Sequence, residues 1–369
     1  MNINGYIRKF GNKTFEEKEF NDVDALILAE LSYINIDMLL PVNKDKVYIR
    51  DIDISSAKRN VFFDSVDAPY NKTMLKRMKD SVRFKDCLIR DIVKKFSKED
   101  VNQFYAMSIV FPNNDVYISF RGTDITLIGW KEDFFISYQE SILSQVQALD
   151  YSERIISKCK NRFYLGGHSK GGNLAFYVAL NFAKKYEDRF INAYSFDGPG
   201  FKDGIEHLPN YESCIDRMIK YRTYNDVVGS FFNNMTKYKV VHSTGALLGG
   251  HDPFFWQIIA STGEFMYAKD ISSTSKKYSK RIMNWLNSLS FEDRELATNA
   301  VFEVLRGDNI YDLLKNFGKN ILTSKKNLSS YSNDEQEHLK EIFKKLFKYA
   351  MLENPEKKKN KPKAITKKQ

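Results

Sequence analysis

The chain holds 369 residues, 43% hydrophobic and 28% charged, with 28 Phe and 21 Tyr, a balance that supplies a sizeable core and excludes collagen-like, mucin-like and wholly disordered classes. The formal net charge is +10, but seven of the surplus positive charges are the lysines of residues 357–369 (KKKNKPKAITKKQ); the basic character belongs to a solvated tail suited to weak contact with an anionic lipid surface, and no nucleic-acid motif accompanies it. No apolar run reaches the ~18 residues of a membrane-spanning helix, the opening MNINGYIRKF lacks the apolar stretch of a secretory signal, and Cys87, Cys159 and Cys214 form no CxxC pair, so reduced thiols and a cytoplasmic location, peripheral to the membrane at most, are expected.

In chain order, Asn21 and Asp22 precede apolar side chains at helical spacing, an N-cap signature that predicts a helix from about residue 22. Residues 50–100 are mixed and charged and read as short helices with loops. QFYAMSIVF (103–111) and DVYISF (115–120) are strand-like runs separated by the turn cluster Pro112-Asn113-Asn114. A long helix is expected over 137–159, a strand over 162–166, a helix from about Gly172 to Lys185, and strands over 191–196 and 218–224. That alternation predicts an α/β fold, a mostly parallel central sheet with helices on both faces. From about Asp270 the chain turns helical and charged, with helices expected over 283–307 and 334–352. The expected organisation is a domain over 1–282, a helical C-terminal extension over 283–353 and a Lys-rich disordered tail over 354–369.

One pentapeptide carries chemistry. Gly167-His168-Ser169-Lys170-Gly171 matches G-x-S-x-G and lies between an apolar strand and an apolar helix, where a nucleophile elbow needs small residues on either side of the serine. An acyl-transfer serine also needs oxyanion donors. The backbone N–H of Lys170 is one candidate, and Thr123, after the strand that runs into Arg121-Gly122, is the other. Of five histidines, His168 flanks the nucleophile with its ring expected to point away from the hydroxyl, while His207 and His338 look like surface residues. His251, in the glycine-bearing loop GGHDPFFW (249–256), is the favoured base, with His242 in KYKVVHS the runner-up. For the acid, Asp226 lies just past a strand end and is favoured over Asp197, which also ends a strand in YSFDGPGF. Either position could hold the imidazole tautomer and stabilise its positive charge.

The series FRGTD (120–124), GWKEDF (129–134), GGHSKGGNLA (166–175), SFDGPGF (195–201), YNDVVG (224–229) and GHDPFFW (250–256) resembles the motifs of class 3 lipases. It is closer still to the Mbeg1-like bacterial family of lipase-like α/β-hydrolases, whose opening helix DALILAELSYI (24–34) also resembles. The resemblance covers roughly residues 20–310. It implies an α/β-hydrolase fold, a Ser169–Asp226–His251 triad and oxyanion donors near Thr123 and Lys170. Val227-Val228 stand where many lipases place proline and small residues after the late acid. The expected activity is that of a lipase-like serine esterase working through an acyl-enzyme on a small-molecule ester or lipid, with neither metal nor organic cofactor required. A catalytically inactive hydrolase-fold scaffold, and a thioesterase or peptidase using the same triad, are the alternatives. Acyl-chain length, oligomeric state and any lid are not readable from the sequence.

Overall fold

In the computed structural model, spatial order in the sheet follows chain order, β1 to β9. The structure describes the chain apart from residues 56–60, 63–67, 125, 203–207, 209, 233–236, 246–247, 305–329 and 352–369; His207 and the Lys-rich tail therefore lie outside the described residues. The strands are β1 (Lys46–Tyr48), β2 (Leu88–Ser97), β3 (Asn102–Val110), β4 (Val116–Phe120), β5 (Phe163–His168), β6 (Phe190–Phe196), β7 (Met218–Thr223), β8 (Tyr238–Val241) and β9 (Tyr267–Ala268).

The sheet is mixed, not mostly parallel. β4 to β8 run parallel, while β1 to β4 pair antiparallel and β9 closes the far edge antiparallel to β8. Connection length explains the change. Only a few residues join β2 to β3 and β3 to β4, enough for a hairpin turn and too few for a crossover. Val101 and Asn114 take up the reversals with positive φ, 48° and 68°. β2 was hidden in the sequence because LIRDIVKKFS is largely half-buried or exposed toward its far end and so lacks an apolar run.

The helices are α1 (Ile3–Phe10), α2 (Asp22–Leu31), α3 (Ala68–Asp80), α4 (Leu127–Phe135), α5 (Leu143–Ile156), α6 (Lys170–Phe182), α7 (Tyr211–Cys214), α8 (Leu248–His251), α9 (Ser273–Asn287), α10 (Phe291–Val304) and α11 (Asn333–Met351). Alternation along β3 separates two apolar cores. Tyr105, Met107 and Ile109 join a cluster with Leu26, Ile27 and Leu31 of α2, whereas Phe104 and Ala106 join one with Ala148, Ile155, Leu174 and Val178 of α5 and α6. Successive side chains point to opposite faces of a strand, so helices cover both faces of this sheet. Asn21 caps α2 as the sequence predicts: its side chain accepts from Val23 N, and Asp24 returns a bond to Asn21 N in a capping box.

Elsewhere the elements shift. The expected helix over 137–159 begins only at Leu143, and the helix expected over 283–307 is broken at Ser288–Ser290 into α9 and α10. α9 runs unbroken across the boundary expected at 282. Trp285, Leu286, Leu289, Ala297, Ala300, Leu339 and Ile342 of these C-terminal helices form their own buried cluster. α10 lays Val301 and Phe302 on Leu127 of α4. Among the described residues no helix is long and apolar enough to cross a membrane.

Candidate active site

β5 ends at His168 and α6 begins at Lys170, leaving Ser169 alone at the corner with φ of 56°. This left-handed conformation is uncommon for any residue but glycine and crowds the Cβ against the following carbonyl. A neighbouring strand and the first turn of α6 hold it: Ser169 N donates to Phe196 O of β6 at 2.9 Å, and Gly172 N donates to Ser169 O at 2.9 Å. The flanking glycines are dictated by packing. A Cβ on Gly171 would stand 2.1 Å from Phe120 O, and one on Gly167 would stand 2.3 Å from the Gly171 carbonyl carbon. The G-x-S-x-G signal thus reports a real close approach of β4, β5 and α6.

The segment after β4 reaches the same corner. A Cβ on Gly122 would lie 2.9 Å from Ser169 Cβ and 2.5 Å from His168 O, so Thr123 is carried next to the elbow. Its hydroxyl is bonded to Asp133 Oδ2 of α4 at 2.6 Å. Lys170 presents its backbone at the first turn of α6, where helix N–H groups have no intrahelical partner. Its side chain turns inward instead, and Nζ donates to Glu132 Oε2 at 2.6 Å and to Gln103 O at 2.9 Å. Glu132 also accepts from Gln103 N, Asn102 Nδ2 and Ser144 N at 3.1–3.2 Å. This buried lock fastens α4 to α6 and to β3.

His251 is the histidine brought to the site. Its Nδ1 lies 2.7 Å from Asp197 Oδ2, and its ring centroid is 4.4 Å from that of His168 beside the nucleophile. Asp197, fully buried, stands at the end of β6 with φ of 51°, its N donating to Tyr221 O at 2.8 Å. Among the described residues no hydrogen bond joins Ser169 Oγ to His251. Active-site bonds of this kind are commonly long before substrate arrives.

The favoured acid is not the one that meets the histidine. Asp226 is fully buried at the end of β7, and its Oδ2 accepts from Arg222 Nε and from Ser230 Oγ, each at 2.6 Å. Arg222, four residues earlier, holds that carboxylate in an ion pair. Burial, and then the nearby charge of Asp197, raise the Asp226 pKa. The runner-up acid therefore replaces the favoured one in contact with His251. His242 does not compete as base: it lies just past β8, where its N donates to Met266 O, its O accepts from Gln257 N, and its ring lies 5.7 Å from Tyr224.

His168 has a part that its sequence position did not signal. It is buried, its Nδ1 sits 3.2 Å from Tyr33 Oη and 3.3 Å from Glu30 Oε1, and its Nε2 lies 3.0 Å from the backbone O of His251. Burial, and then the neighbouring His251, hold its pKa well below the ordinary histidine value. A neutral ring with its proton on Nε2 donates to His251 O and accepts from Tyr33, so the residue before the serine clamps the loop that carries His251. Glu30 and Tyr33 come from α2 and its C-terminal end, far upstream, which no local motif could reveal. Of the aromatics near 254–256, Phe254 and Trp256 are core residues. His338 is exposed and pairs with Asp293.

A protein-family model described as Mbeg1-like matches residues 78–303. The chain belongs to the Mbeg1-like family. The Mbeg1-like match runs from α3 into α10 and takes in Thr123, Ser169, Lys170, Asp197, Asp226 and His251, but stops short of Glu30 and Tyr33. No curated protein matches the sequence. Among solved structures, the crystal structure of M37 lipase is similar at 15% identity and a TM-score of 0.36, over 57% of this chain and 68% of that one. The fold class itself rests on the observed sheet, elbow and flanking helices, which make an α/β-hydrolase-like arrangement.

Proposed function

We propose that this protein is a serine hydrolase that cleaves carboxyl esters, lipid or other acyl esters, through an acyl-enzyme on Ser169. The observation that carries the reading is the 2.7 Å bond between His251 Nδ1 and Asp197 Oδ2 beside a serine on a strand-to-helix corner. Asp197 fixes the tautomer that leaves His251 Nε2 free of a proton. That nitrogen takes the Ser169 proton as the hydroxyl attacks the acyl carbon. The resulting oxyanion is received by the backbone N–H groups of Thr123 and Lys170, and protonated His251 passes its proton to the departing alcohol. Water then repeats the sequence on the acyl-enzyme. No step calls for a metal or organic cofactor.

The deciding experiment is labelling by a fluorophosphonate probe, expected on the native chain and lost in Ser169→Ala, followed by p-nitrophenyl esters of increasing acyl length beside thioester and amide substrates. Absence of labelling favours the inactive scaffold, the second reading, to which the missing Ser169–His251 hydrogen bond gives support. Faster turnover of thioesters or amides than of esters moves the assignment to a thioesterase or peptidase with the same residues. We further propose a cytoplasmic protein whose Lys-rich tail, residues 357–369, touches anionic membrane surfaces. Deleting the tail is expected to lower binding to phosphatidylserine vesicles without changing hydrolysis of a soluble ester; undiminished binding rejects that role.

A further inference from the structure

Two acids stand side by side on α4, and one cation serves them. Lys170 Nζ bonds to Glu132 Oε2 at 2.6 Å, and three further donors complete the Glu132 carboxylate. Asp133 receives no comparable company. Its Oδ2 meets Thr123 Oγ1 at 2.6 Å, while its Oδ1 is buried without a hydrogen-bond partner among the described residues. The titratable groups around it are Lys170 from α6, already committed to Glu132, the adjacent Glu132 of its own helix, His251 from α8, and the buried Tyr33 hydroxyl just past α2. An ionised carboxylate with one neutral donor is a poor occupant of such a place; a carboxylic acid is a better one.

Which form is present decides where the single Thr123 hydroxyl hydrogen goes. Opposite an ionised Asp133 the hydroxyl must donate to Oδ2, and Thr123 offers an oxyanion only its backbone N–H, beside that of Lys170. Opposite a protonated Asp133 the carboxyl O–H donates to Thr123 Oγ1, and the threonine hydrogen is released to turn toward the acyl oxygen as an additional donor. We propose that Asp133 is a positioning residue that works as a neutral acid, its proton arming the Thr123 hydroxyl for the oxyanion. The proposal rests on the acyl-enzyme reading of Ser169. Burial pushes the Asp133 carboxyl up to about 7, against the pull of Lys170, so the armed and disarmed forms exchange near neutral pH.

The sign is then fixed. Hydrolysis falls on the alkaline side as Asp133 ionises. Stability follows the same group: with the folded pKa raised above the ordinary carboxyl value, the folded state binds the extra proton, so stability declines as pH rises from that ordinary value through about 7. Asp133→Asn places an amide donor permanently against Thr123 Oγ1, imitating the protonated acid.

The test is the pH profile of kcat for a soluble p-nitrophenyl ester between about pH 6 and pH 9, on chains first shown to label with the fluorophosphonate. The native profile is expected to fall on its alkaline side on the order of tenfold. Asp133→Asn should abolish that fall and raise the alkaline rate by the same factor with little change in KM. Thr123→Val should also abolish it, but at the low plateau, and Thr123→Ser should restore it. A flat native profile, an alkaline limb that survives in Asp133→Asn, or an equal loss of rate at every pH would each overturn the proposal. Should Asp133→Asn not fold, the Thr123→Val and Thr123→Ser pair decides alone. Failure of the native chain to label sinks the hydrolase reading itself, a different result from a labelled enzyme whose limb ignores Thr123 and Asp133.

Discussion

The ends of β6 and β7 lie next to each other in the sheet, and each carries a buried aspartate in very different company. Asp197 turns its Oδ2 to His251 at 2.7 Å, while its Oδ1 has no hydrogen-bond partner among the described residues. Asp226 turns its Oδ2 to Arg222 and Ser230, both within 2.6 Å. The two sit close enough that a Cβ on Gly229 would stand 2.5 Å from Asp197 Oδ1 and 3.2 Å from Asp226 Oδ1. Two carboxylates this near cannot both serve the imidazole, and the one whose charge is already matched by a cation has little left to offer a protonated histidine. On the proposed mechanism, Arg222 thereby divides the roles. By neutralising Asp226 it leaves Asp197 as the anion available to His251.

That contrast can be broken at several points. The largest effect belongs to the nucleophile: Ser169→Ala is expected to remove at least about 10⁵-fold of kcat and all covalent labelling, read by probe fluorescence and ester hydrolysis. Asp197→Asn should cost about 10⁴-fold in kcat, because an amide holds the wrong imidazole tautomer. Asp226→Asn is its counterpart and should leave the rate per folded molecule within a few-fold, while lowering stability by about 3–5 kcal/mol as Arg222 loses its buried anion. Denaturation midpoints beside active-site titration separate the two outcomes, and a kcat loss in Asp226→Asn equal to that in Asp197→Asn would return the triad to Asp226. The smallest effect is the clamp. His168→Phe keeps a ring against His251 but no donor to its carbonyl, and should lower kcat about tenfold with KM little changed; His168→Gln, which retains a donor, should recover most of that loss.

The sequence made the elbow plain because its cause is local: Gly167 and Gly171 are required by atoms of β4 and α6 within a few ångströms, and an apolar strand and helix flank them. Of the two histidines that elimination among five left as candidates, His251 and His242, His251 is the one whose ring meets Asp197. The choice of acid was not, since Asp197 and Asp226 both follow a strand and their sequence environments differ only in which neighbour comes near in space. Arg222 precedes Asp226 by four residues, a separation that announces nothing in an extended strand and becomes a contact only because the chain turns at Asn225. β2 and β9 were missed for a related reason: one is charged along its length and the other has two residues, Tyr267 and Ala268. The partners of His168 and Asp133 depend on α2 and α4 folding over the elbow, which spacing along the chain does not encode.

Ser169 and Asp197 share one backbone property, positive φ at 56° and 51°. Each such residue works against folding by roughly 1 kcal/mol relative to glycine. The two side chains proposed for catalysis thus occupy corners that a glycine would occupy more comfortably, and a variant library screened for heat resistance alone would be drawn toward Gly at both positions. On the proposed mechanism its hardiest members would be inert, so any laboratory evolution of this chain needs turnover and melting temperature scored together.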